Sequence, residues 1–355
     1  MAQQAQLTPQ QRGQLFAQGT RQNRQSIPAK AATGELDTLT FDLPKARLLS
    51  KVVLHIEAVV NVKATTGTTV QLAPTGGYEL FRRISVDLNN GFSPYILGGR
   101  ALYHLSMLRI NPDVIMPQAN VRGVNYIERA ASVAGVDNKV RFSVELPLTL
   151  NDRDPVGLIL LQNNETNVQV KLDLDSVAKI YKLNAANGEV ATFKSVKVQP
   201  VLETYSIPVM KEAFPDISVL KLVSEKSETV QGGGQTIVRL NTGNTYRRIA
   251  FYVEDAAGVP FTEEDFSGNI ELVFNQADIP YSEPALSLAH LAHRQLGYPL
   301  PAGVFVFDFT YQGFPSYGGS RDYIDTQRLT EFWLRFNSTK AGKITIVSET
   351  LSQLV

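Results

Sequence analysis

The chain of 355 residues contains no cysteine, which excludes disulfides, thiolate nucleophiles, iron–sulfur clusters and every cysteine-based zinc site. Long apolar runs are missing as well. The longest, Val156–Leu161 with Gly157 inside it, falls far short of the roughly 18 to 20 residues of a membrane-crossing helix. Net charge is absent, with 34 Lys and Arg against 34 Asp and Glu, so no whole-molecule field draws in nucleic acid, anionic lipid or an acidic substrate. Specific nucleic-acid binding is therefore not expected. Charged residues make up 19%, below the roughly 25% of ordinary soluble chains, so part of the surface is expected to face something other than water. The first 25 residues hold nine glutamines and no apolar core of a secretory signal, so the chain is expected to stay in the compartment where it is made.

Catalytic constellations are equally scarce. There is no GxSxG or GxGxxG, and Ala341-Gly342-Lys343 lacks the upstream glycine and following Ser or Thr of a phosphate loop. Of the four histidines, His55 sits on the polar face of an alternating strand and His104 lies on a helix without a nearby acid. His290 and His293 share a helix face but lack a third ligand in sequence. Asp152-Arg153-Asp154, followed by Pro155, reads as a salt-bridged turn rather than a facing carboxylate pair. Asn164-Glu165-Thr166 and Asn337-Ser338-Thr339 match the glycosylation pattern without a signal to deliver them to it. No catalytic, cofactor-binding or metal-ligating residue is expected, and the chain is not expected to be an enzyme.

What is present is a basic arm and a long β-rich body. Before Glu35 the chain carries Arg12, Arg21, Arg24 and Lys30 and no acid. Thr8-Pro9 reads as a helix start, with Leu15, Phe16 and Ala17 as a short apolar stripe. Two readings stand for this arm: it docks on a neighbouring subunit or on lipid head groups, or it is a frayed terminus. From Leu36 onward the period is two. Val52, Leu54, Ile56, Ala58, Val60 and Val62 alternate with more polar neighbours, and the same pattern returns at 82–88, 141–146 and 168–175. Further strands are expected at 190–198, 217–230, 234–240, 247–254, 269–274, 302–310, 329–336 and 343–349, with turns such as Asn89-Asn90-Gly91 and Gly232-Gly233-Gly234 between them. Many short, punctuated strands point to sandwiches or barrels. Two stretches, 99–110 and 283–296, carry helical spacing instead.

The halves also match each other. Gly67–Gly76 aligns with Gly234–Gly243, Arg82-Arg83-Ile84 with Arg247-Arg248-Ile249, and Tyr103-His104-Leu105 with Ala289-His290-Leu291, in the same order. A duplicated β-domain is expected, dividing near Ser206-Ile207-Pro208. One competing function is left open by the aromatic run Phe305-Val306-Phe307-Asp308-Phe309-Thr310-Tyr311 with Phe314 and Tyr317: a carbohydrate-binding or carbohydrate-cleaving double β-sandwich using Asp308 or Asp322. A packed strand followed by a loop is the plainer alternative for the same residues.

Two further segments carry a family resemblance. The opening Met1-Ala2-Gln3-Gln4-Ala5-Gln6-Leu7-Thr8-Pro9-Gln10-Gln11 is similar to the start of tectiviral coat proteins. So is the succession Leu146-Pro147-Leu148, Asp154, Gly157, Leu160 and Val170-Lys171-Leu172-Asp173-Leu174. The chain thus resembles the double jelly-roll major capsid proteins of tectivirus-type, membrane-containing icosahedral bacteriophages. That resemblance implies an all-β protein of two tandem eight-stranded jelly-roll sandwiches, one prominent helix in each, plus an N-terminal helical arm. It implies an arm over 1–34, a first jelly roll over 35–206 and a second over 207–355. It implies a homotrimer that forms a pseudo-hexagonal tile, meets neighbouring capsomers and minor or penton proteins, and covers an inner viral membrane. The arm residues Arg12, Leu15, Phe16, Arg21, Arg24 and Lys30 would contact membrane or neighbour; the location would be the virion, assembled in the host cytoplasm.

Overall fold

A computed structural model describes residues 9–89, 91–115, 125–150, 156–162, 165–215, 217–310 and 323–353. The chain divides into two compact units. One comprises Met1–Arg100, Asp113–Lys221 and Leu354–Val355, the other Ala101–Pro112 and Leu222–Gln353.

In the first unit the alternating pattern produces the strand Leu48–Lys63, which buries Val52, Leu54, Ile56, Val60 and Val62 and turns His55, Glu57 and Lys63 outward. β-Branched residues suit a half-buried pleated surface, and at about 3.3 Å per residue this strand runs roughly 50 Å. It lies between Val190–Tyr205 and Val136–Pro147, and Gln22–Ser26 adds on beyond Val190–Tyr205. The facing sheet has the order Phe92–Leu97, Phe81–Leu88, Val168–Leu174, Thr38–Asp42. Phe81 and Phe142 meet edge to face across the sandwich at 5.9 Å.

The second unit repeats the plan. Val219–Val230, Gly342–Gln353, Thr245–Asp255 and Val304–Asp308 are neighbours in that order; Gly234–Leu240, Phe332–Ser338, Asn269–Phe274 and Asp278–Pro284 form the other sheet. Numbering each set of eight from its first strand gives one path in both units: 1-8-3-6 in one sheet and 2-7-4-5 in the other. Its core is aromatic, with Tyr246 against Phe332 at 4.9 Å and Tyr281 against Phe307 at 6.2 Å joining the two sheets.

This order corrects the sequence alignment of the halves. Arg82-Arg83-Ile84 lies in the fourth strand of its set, whereas Arg247-Arg248-Ile249 lies in the third. Gly234–Leu240 is a full strand, but the matching stretch in the first half holds only Gln71–Leu72. Alternating strands look alike wherever they sit, so short matches do not identify equivalents. The two helices expected from spacing are Gly99–Met107, whose residues from Ala101 belong to the second unit, and Ala285–Leu296. The latter starts two residues later than its spacing suggests, because Glu283 and Pro284 complete a strand and Pro284 sits outside the helix with ψ 151. Gly99 has a packing role: a Cβ there would strike the carbonyl oxygen of Tyr78.

The second unit also buries an ionic cluster. Glu349, 1% exposed, accepts from Arg247 at 2.7 Å, Arg248 at 3.2 Å and Arg109 at 3.3 Å. Arg248 reaches Asp308 as well, Nη2 at 2.7 Å and Nε at 2.8 Å, so one guanidinium ties the third, sixth and eighth strands together. Burial alone would raise the Asp308 carboxyl, but the Arg248 guanidinium and the Thr310 hydroxyl and amide hold it below the ordinary 3.8. A carboxyl depressed in the folded state contributes stability above its unfolded value, and loses that contribution as pH falls through the folded value. Stability of the second unit is therefore expected to drop below about pH 4, and Asp308→Asn to flatten that drop in urea unfolding at a series of pH values. Glu349→Gln leaves guanidinium charge buried without its counter-ion, and a loss of about 3 kcal/mol is expected in the same assay at neutral pH.

Candidate functional site

The arm residues were the sequence's candidates, and their placements differ. Pro9–Gly19 is a helix, as Pro9 at its first position favours, while Thr8 lies outside the described residues. Among its described side chains the buried anchor is Phe16, 4% exposed, which packs with Leu48 and Leu158 and meets the Tyr205 ring edge to face at 5.3 Å. Leu15 is half-buried. Residues Gln22–Ser26 then run antiparallel to Val190–Tyr205, with Arg24 opposite Glu203 and its Nε 2.9 Å from that carboxylate. Lys30 pairs in register with Val198, donates from Nζ to the Thr40 carbonyl at 2.5 Å and stands 5.5 Å over the Phe41 ring. Phe16, Arg24 and Lys30 are thus satisfied within their own unit. Arg12 and Arg21 are exposed, and their side chains make no ion pair among the described residues.

Beside the arm lies the outward face of the long sheet, which is laid out in cross-strand rows. Glu203 and Lys51 form the row nearest the arm; Gln199, His55 and Ser143 the middle; Lys197, Glu57 and Arg141 the next; Ser195, Val59 and Lys139 beyond it; and Val190 with Lys63 the far end. A shallow cavity of about 260 Å³ lies over the middle rows, lined by His55, Glu57, Arg141, Ser143, Lys197 and Gln199. His55 Nδ1 is 2.8 Å from Ser143 Oγ. Nothing in the sequence signals this face as a site beyond its polar alternation, because the pattern of any half-buried strand is the same.

The other candidates resolve into packing. Phe305, Phe307 and Phe309 are all buried, stacked or edge-on with Phe251, Phe266 and Tyr281, so the described part of the aromatic run is core and not a sugar platform. Asp308 is held by Arg248. His104 is buried and stacks on Tyr252 at 4.4 Å, while His290 and His293 are exposed on their helix. Tyr311, Phe314, Tyr317 and Asp322, the Asp152-Arg153-Asp154 turn and Asn164 lie outside the described residues. No helix among the described residues is long and apolar enough to cross a membrane.

The anchoring of the arm is testable. Phe16→Ala removes a buried ring and is expected to cost about 3 kcal/mol locally, freeing the arm so that trypsin cuts after Arg21 and Arg24 faster than in the parent. Unchanged digestion would mean that strand pairing alone holds the arm.

No family model and no curated protein matches the sequence. Solved structures do. The STIV major capsid protein superposes with a TM-score of 0.67 at 12% identity, covering 94% of this chain and 97% of its own. The PBCV-1 virus capsid gives 0.66 at 13%, covering 94% of each chain. The major capsid protein of bacteriophage PM2 gives 0.55 at 11%, covering 94% of this chain and 98% of its own. These likenesses are of fold, and with the twice-repeated strand order they make the chain a double jelly roll of the kind seen in viral major capsid proteins.

Proposed function

We propose that this chain is the major coat protein of a tectivirus-type, membrane-containing icosahedral bacteriophage. One observation carries the reading: an eight-strand order that occurs twice in one chain, within a fold shared with major capsid proteins over 94% of its length. Two similar sandwiches in each of three copies give six similar lateral faces, so a homotrimer tiles an approximately sixfold lattice. In this reading the first jelly roll takes Gln22–Ser26 as its first strand and runs to about 206, the second spans 207–355, the remainder of the arm over 1–34 lies on the inner side, and Arg12 and Arg21 meet lipid phosphates or an adjacent capsomer. Each cation near an anionic surface adds about 1 kcal/mol. The role is structural rather than enzymatic: a protein made in the host cytoplasm, resident in the virion, contacting neighbouring capsomers, minor or penton proteins and the inner membrane.

The carbohydrate alternative loses support because the described aromatic residues on which it rests are buried. Light scattering and electron microscopy test the proposal. The full chain is expected as a trimer of about 117 kDa, three times 39.1 kDa, that builds curved sheets or shells. Arg12→Glu with Arg21→Glu is expected to keep the trimer but to lose binding to vesicles containing phosphatidylglycerol. A stable monomer that assembles under no condition overturns the coat reading.

A further inference from the structure

The net charge of zero conceals a division between the units. The first carries 23 Lys and Arg against 19 Asp and Glu, a net of +4; the second carries 11 against 15, a net of −4. Within the first unit the surplus has a location. Near the arm the outward face is ion-paired, with Lys51 Nζ 3.2 Å from Glu145 and 3.9 Å from Glu203, which also takes Arg24. Towards the opposite end of the same strands, Lys63, Lys139, Lys194 and Lys197 are all exposed, and none has its ammonium within 4.0 Å of a carboxylate among the described residues, although the Glu128 carboxylate accepts from the Lys139 backbone amide at 2.8 Å. Of the remaining acids of these strands, Glu57 is paired with Arg141 at 3.7 Å, while Asp137 accepts from the Asn61 amide at 2.6 Å and keeps its charge, leaving the lysines in excess.

The same end is also partly apolar. Lys63 and Lys194 line an open cavity of about 530 Å³ together with Val133 and Val190, which are 73% and 51% exposed. Unpaired cations around exposed valines are the makings of a protein contact that gains register from charge and affinity from burial. The second unit offers the opposite sign: Glu263 and Glu264, before the strand Asn269–Phe274, and Asp278, beyond its far end, are exposed with no cation within 4.0 Å among the described residues.

We propose that the basic end of the outward face, around Lys63, Lys139, Lys194 and Lys197, is the docking surface for the acidic second unit of another copy of this chain. The inference rests on the self-association proposed above and specifies which surfaces meet. In a ring of three copies that alternates the two units, each positive unit has a negative neighbour in the next copy, and like-charged contacts are avoided without any net charge on the molecule. Opposite charges of this kind specify partner and orientation, and their reach shrinks from about 10 Å at 0.1 M salt to about 3 Å at 1 M.

The test is sedimentation of the full chain in about 0.05 M and about 0.5 M NaCl, beside a Lys63→Glu, Lys194→Glu, Lys197→Glu variant whose unfolding midpoint verifies its fold. Salt is expected to weaken association of the parent, and the variant to associate at least about tenfold more weakly at low salt. Adding Glu263→Lys, Glu264→Lys and Asp278→Lys to that variant reverses both surfaces and is expected to restore association, an outcome misfolding cannot produce. A folded lysine variant that associates like the parent, or a doubly reversed chain that does not recover, overturns the inference. So does a lysine variant with parental association that instead loses binding to anionic vesicles. Salt-insensitive trimers sink this inference alone, whereas a parent that stays monomeric and never assembles sinks the coat reading itself.

Discussion

A strand whose side chains alternate between apolar and polar has one face that water will not accept, and the whole architecture follows from covering that face. Val52, Leu54, Ile56, Val60 and Val62 present one such row on a single strand. Burying each is worth about 1.5 to 3 kcal/mol, too little for any one residue to decide the fold but decisive when summed along a sheet. A second sheet of four strands supplies the cover in each unit, by the same path through the chain. The two units fill the gap differently: aliphatic rows with a few rings in the first, a continuous aromatic cluster in the second.

Covering the inner face leaves the outer one free to diverge, and charge is where the units differ most. In the second, Arg248 and Glu349 are drawn inside, and each must be hydrogen-bonded by its partners because an unpaired charge in the core is far costlier than a paired one. In the first, the strand-borne Arg83, which reaches the buried carboxylate of Asp173, stays nearer water, its side chain 52% exposed. Pairs of that kind contribute little to stability, so surface charge there can be placed for association. The coat role proposed above has the same need: stability drawn from within each sandwich and specificity from the sandwich flanks.

The β character, the turns, both helices and the start of the arm helix were legible because each depends on neighbours in sequence. Period two sets the strands, period 3.6 the helices, and Pro9 the helix start. The arm was legible only in part. Its lack of acids suggested a separate tail, yet Gln22–Ser26 is a paired strand occupying the first position of the eight. Its residues, QNRQS, carry no apolar alternation because hydrogen bonding to Val190–Tyr205 holds the strand, and its side chains are mostly exposed. The duplication was visible as an idea but misaligned in detail, since Arg-Arg-Ile recurs in strands that are not equivalent.

Composition and periodicity therefore determined that the chain is built of paired strands, carries no thiol chemistry and has no overall charge; these depend on residue type and on spacing along the chain alone. Tertiary structure decided which strands are neighbours, that Phe16 is an anchor rather than a free contact, and that Asp308 neutralises Arg248. It also decided that four lysines whose ammonium groups have no carboxylate partner among the described residues share one face. Those outcomes hang on groups far apart in sequence approaching within a few ångströms, and a one-dimensional pattern carries no term for that distance.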